Sequence, residues 1–85
     1  LKKYYRHLAY DAGVWAVAFA IHRSKNRSVK TYTQEFYPLV AKLGWQKALG
    51  HYANVANVEE FYERFAKFLD EPIGVQMKML AALKP

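Results

Sequence analysis

Apolar positions along this chain recur at steps of three and four, and the spacing predicts helices from end to end. The clearest is Asn57–Leu69. Asn57 stands as its cap, Glu60 three residues on can reach back to the cap's own N–H, and Ala56 with Phe61 has the spacing of a hydrophobic staple. From Val58 the apolar face reads Val58, Phe61, Tyr62, Phe65, Phe68 and Leu69, so this helix must pack against something. Its acidic residues Glu59, Glu60 and Glu63 sit where the helix dipole and i,i+4 pairs to Arg64 or Lys67 favour them.

A first helix is expected over about Leu1–His22. Tyr5, Leu8, Ala12, Trp15 and Phe19 follow one face, and Tyr10, Val14, Val17 and Ile21 nearly the opposite one. A helix apolar all round is surrounded by other elements, which puts this one at the centre of the fold. Its longest uncharged run, Ala12–Ile21, is about half of the roughly 20 residues that a membrane span needs, so no span is expected. The run ends in His22-Arg23-Ser24 rather than a small-residue cleavage site, which favours a buried helix over a signal peptide.

After a polar connector over 23–30, a second helix should begin near Thr31 or Thr33, with either hydroxyl as N-cap, and bury Phe36, Leu39, Val40 and Leu43. Pro38 should kink it or shift its start, because proline lacks the N–H and crowds the preceding turn. Gly44 should close it and Trp45 open a short third helix through about Tyr52, with Trp45, Ala48, Leu49 and Tyr52 on one side. A fifth helix should start with Pro72 at its first position and bury Ile73, Met77, Leu80 and Ala81. The expected architecture is all-α, a compact bundle of about five helices with the first helix central. Trp15, Phe19, Phe36, Trp45, Phe61 and Phe65 are expected in its core.

Length and composition sharpen this in one respect: 85 residues at 53% hydrophobic suffice for a single packed domain over 1–85. The opening Leu1 leads us to expect a fragment or subdomain of a longer protein. Without cysteine, the chain has no disulfide framework, thiolate metal site or cysteine nucleophile, and redox chemistry leaves its compartment unread. His7, His22 and His51 are too far apart in sequence to make a helical metal-ligand pair. No catalytic, cofactor-binding or metal residue is therefore assigned, and no cofactor is expected.

Charge points elsewhere. Thirteen Lys and Arg against seven Asp and Glu give a net +6, grouped as Lys2, Lys3 and Arg6 and again as Arg23, Lys25, Arg27 and Lys30. The second group makes the 23–30 loop a candidate contact for nucleic acid or another anionic surface. If these four side chains are merely solvated, replacing them all with Gln should change stability little.

The runs Tyr10-Asp11-Ala12-Gly13-Val14-Trp15-Ala16-Val17, Phe36-Tyr37-Pro38-Leu39, Gly44-Trp45-Gln46-Lys47-Ala48-Leu49 and Val58-Glu59-Glu60-Phe61-Tyr62, with Phe65 beyond, carry a family resemblance. Together they resemble the helical C-terminal region of gluzincin-type zinc metallopeptidases, the peptidase-MA-like group. The resemblance covers roughly Tyr10 to Leu69. It implies a support bundle behind or beside a zinc site located upstream, or a stand-alone relative that kept the bundle and lost the peptidase, and a periplasmic or secreted setting. That family's His-Glu-x-x-His helix and downstream glutamate ligand have no counterpart here, so no catalytic or zinc-binding residue carries over. The expected role is a non-catalytic subdomain that packs on another domain or subunit through an apolar helical face, with nucleic-acid binding ranked behind it.

The isolated chain should neither bind zinc stoichiometrically nor hydrolyse peptides. Metal analysis and a peptidase assay on purified protein check this, and chelator-sensitive hydrolysis would refute it.

Overall fold

A computed structural model describes residues 15–85 of the chain. Within them the fold is all-α. Residues 15–23 form α1, Tyr37–Leu43 α2, Trp45–Tyr52 α3, Val58–Leu69 α4 and Ile73–Ala81 α5. The expectations for Tyr5, Leu8, Tyr10, Ala12 and Val14, and for the cluster Lys2, Lys3 and Arg6, lie outside the described residues.

The core is built where α1 meets α4. Phe19 of α1 is buried against three rings of α4, with centroids 5.7 Å from Phe61, 5.6 Å from Phe65 and 4.9 Å from Phe68. Spacings of four and three place those three rings on one stripe, and tilted aromatic pairs of this kind contribute about 0.5–1.5 kcal/mol each beyond their buried area. The described part of the first helix is thus central, yet it is not covered all round: Val17 is exposed, while Ile21 of the same expected face is buried. Trp15 is only half-buried, at 6.3 Å from Phe68.

A second aromatic group joins the segment before α2 to α3. Phe36 stacks on Tyr52 at 5.4 Å, and the Tyr52 hydroxyl meets that of buried Thr31 at 2.8 Å. Neither Thr31 nor Thr33 caps the helix. Both hydroxyls donate backwards instead, Thr31 Oγ1 to the Ser28 carbonyl at 2.6 Å and Thr33 Oγ1 to that of Lys30 at 3.1 Å. Pro38 is accommodated by a π-helical turn over Tyr32–Phe36, just ahead of α2. The wider turn shifts the hydrogen-bond register before the proline, where an unbroken α-helix would have demanded its missing N–H.

Gly44 joins α2 to α3 at φ 81°, the left-handed region that glycine enters without steric cost, and its N–H closes on the Val40 carbonyl at 2.9 Å. Gly50 serves close approach instead, since a Cβ there would stand 3.3 Å from the Val55 carbonyl oxygen. Asn57 caps α4 by accepting from the Glu60 N–H at 2.9 Å. Glu60 does reach back, but to the N–H of Ala56 rather than of the cap itself, also at 2.9 Å. Ala56 is exposed, and Val55 packs against the core instead.

Three apolar stripes are placed differently from their sequence patterns. Trp45 is 50% exposed, because Ala48, Leu49 and Tyr52 meet the core and the first residue of α3 lies a turn before that contact. On α4, Tyr62 and Leu69 are exposed, since the stripe that meets α1 is only as wide as the three phenylalanines. The rotation of α5 is the largest change: Ile73 and Met77 are 62% and 60% exposed, while Gln76 is buried and Met79, Leu80 and Leu83 pack on the core. Gln76 sets that rotation. Its side-chain amide donates to the carbonyls of Leu69 at 3.1 Å and Glu71 at 2.8 Å, closing acceptors that the end of α4 leaves without intrahelical partners. Pro72 stands one position earlier than expected, as the residue flanking the first turn.

Phe61→Ala should cost about 3–5 kcal/mol, the usual loss for a phenylalanine deleted from a packed core, whereas Trp45→Ala should cost far less. Denaturant melts of the two variants check the difference, and a large loss at Trp45 would contradict its exposed position.

Candidate functional site

The basic connector is folded tightly rather than left as a loose arm. Ser24 ends α1, its hydroxyl donating to the Ile21 carbonyl at 2.6 Å and its N–H to those of Ala20 and Ile21. Arg27 follows in the left-handed region, at φ 51°, where a non-glycine residue is uncommon. The chain's last residues hold this turn. Lys84 N–H donates to the Arg27 carbonyl at 2.9 Å, Val29 N–H to the Lys84 carbonyl at 2.8 Å, and Ser28 Oγ to the Pro85 carbonyl at 2.6 Å. Ser28 and Lys84 thereby form an isolated parallel bridge.

This strap brings Lys84 to the basic turn. An open cleft of about 640 Å³ results, lined by His22, Arg23, Lys25, Arg27, Asn54 and Lys84 among others. Among the described residues no carboxylate side chain lines it. Three of the four basic residues singled out from the sequence therefore converge. Lys30 does not line the cleft; it stands exposed at the entrance to the helical segment before α2.

Arg23 has a structural task as well. Its Nε donates to the Ala53 carbonyl at 3.1 Å and its Nη2 to that of Asn54 at 3.2 Å, so the guanidinium ties the end of α1 to the end of α3. Arg23 is thus not merely solvated, unlike exposed Lys25, Arg27 and Lys30, and its replacement is expected to cost stability. Asn54 is itself left-handed, at φ 55°, which turns the chain from α3 towards α4.

His22 borders the cleft with its Nδ1 buried and without a hydrogen-bond partner among the described residues. Burial lowers its pKa from the ordinary 6.5, and the charges of Arg27 and then Arg23 push in the same direction. The imidazole is held towards its neutral form first by burial and then by its cationic neighbours. On α4, the Glu60 carboxyl is held below its ordinary range, first by the Ala56 N–H and then by Arg64, whose Nε lies 3.0 Å from Oε1.

His22, Asn54, Ala82 and Lys84 lie outside the 23–30 loop and are the lining residues that sequence reasoning missed. His22 adjoins the basic run and could have been included with it. Nothing local marks Lys84, which the backbone bridge to Ser28 carries in from the far end of the chain. Among the described residues, no group of three or more His, Asp or Glu is placed to hold a metal ion, and no helix is long and apolar enough to cross a membrane.

Arg23→Gln should destabilise the fold by about 1–3 kcal/mol, because the Ala53 and Asn54 carbonyls lose a charged donor, whereas Lys25→Gln should be nearly neutral. Paired urea melts check this, and equal midpoints would show that the Arg23 bridge contributes nothing. No family model, no curated protein and no solved structure matches the chain.

Proposed function

We propose that this chain is a non-catalytic helical binding module whose working surface is the basic cleft between the end of α1 and the residues around Lys84. One observation carries the reading. Four cationic side chains, Arg23, Lys25, Arg27 and Lys84, line a single cleft without a carboxylate among the described lining residues. A concave surface of one charge sign concentrates counter-charged ligands and speeds their capture. The hydrogen-bonded bridge to Ser28 holds the Lys84 backbone in place before any ligand arrives, so part of the ordering cost of binding is already met.

A second reading keeps the resemblance to the helical C-terminal region of zinc metallopeptidases and makes the bundle a support for a catalytic domain upstream. The outward apolar residues of α5, Ile73 and Met77, favour it as a surface for that domain. A His-Glu-x-x-His motif encoded within roughly 150 residues upstream, about one more domain, would support it.

The first reading is tested with a labelled single-stranded oligonucleotide as a generic polyanion. Fluorescence anisotropy should show weak binding that falls steeply between about 50 and 200 mM salt. A variant with Lys25, Arg27 and Lys84 changed to Gln should lose most of the affinity and of the salt slope. Undiminished binding by that variant would move the anion site away from the cleft.

A further inference from the structure

We infer that the cleft takes a compact, multiply charged phosphate ligand, such as a di- or triphosphate group, gripped jointly by the 23–27 turn and Lys84; this rests on the anion-binding reading above. The lining is the first argument. It is mainly polar and open to solvent, which suits a charged, hydrated ligand better than an apolar one.

The charge around the cleft is the second argument. Beyond Arg23 the surface of α4 turns mixed: Arg64 is paired with Glu60, and the neighbouring hollow is lined by Glu59, Glu60 and Glu63 as well as Arg64 and Lys67. The shallower hollow that shares Arg23 includes Glu71. A long phosphate backbone leaving the cleft on that side would run past carboxylates. A short ligand would leave its whole charge inside the basic wall, where Coulomb attraction is strongest at short range.

The donor set is the third argument. Arg27 offers a planar fork suited to two phosphate oxygens, and Lys25 and Lys84 offer point charges from the neighbouring turn and the strap. Orthophosphate would satisfy fewer of these donors than a chain of two or three phosphoryl groups. The strap matters to affinity because Lys84 reaches the site only through its backbone bonds to Arg27 and Val29.

Isothermal titration of the 85-residue chain with sodium tripolyphosphate, with orthophosphate and with the oligonucleotide tests the inference. Tripolyphosphate should bind at one site per chain, about ten-fold or more tighter than orthophosphate, and should displace the oligonucleotide. Proton NMR should show the His22 titration midpoint rising on tripolyphosphate addition, because the anion offsets the charges of Arg27 and Arg23. Lys84→Gln should weaken tripolyphosphate about ten-fold with an unchanged melt. Arg27→Asn should do the same without added strain, since asparagine tolerates the left-handed backbone there.

Undiminished tripolyphosphate binding by the folded Lys84→Gln variant would overturn the joint grip. Oligonucleotide affinity that climbs with length and resists tripolyphosphate would overturn the compact ligand while leaving the anion-binding reading intact. So would binding to phosphatidylserine vesicles by a chain that ignores tripolyphosphate. Failure of every anion to bind would overturn both.

Discussion

The packing of Phe19 into the aromatic stripe of α4 is the contact on which the rest of this fold depends. One ring from α1 meets Phe61, Phe65 and Phe68 at centroid distances of 4.9 to 5.7 Å, and all four side chains are buried. In a domain this small the apolar core has little redundancy, so a single interlock of large rings carries a large share of the stability. It also fixes the direction in which α1 ends. His22, Arg23 and the turn that follows emerge from that packed end, and the basic cleft inherits its position from the core.

Polar groups then join the helices at their ends. Arg23 closes the carbonyls of Ala53 and Asn54, Gln76 those of Leu69 and Glu71, and the Thr31–Tyr52 hydroxyl pair links the start of the second helical segment to α3. Helix termini leave backbone carbonyls without intrahelical partners, and burial makes each unpaired one costly. A side chain that meets this demand cannot also turn away to solvent. That is why Gln76 points inward and Ile73 and Met77 point out, against the hydrophobic pattern of α5.

Helix existence and most boundaries were legible in the sequence because they depend on neighbours within four residues. The Asn57 cap, the Gly44 break, the Trp45–Tyr52 helix and the Glu60–Arg64 pair are local matters of this kind. The candidate site was legible only as a basic run. Its extension to Lys84 depends on a backbone bridge between residues far apart in the chain, and its loss of Lys30 on where the next helix begins.

The sequence by itself determined an all-α chain, its helical segments, and the aromatic-rich face of α4 that contains Phe61, Phe65 and Phe68, since periodicity and capping act over one or two turns. Tertiary structure alone decided which part of each apolar face was covered. A stripe is buried only as far as a partner helix reaches, which leaves Trp45 and Tyr62 half open and rotates α5 about Gln76. The same long-range closure turned a line of basic residues into a cleft, because Lys84 is brought there by hydrogen bonds that no local pattern encodes.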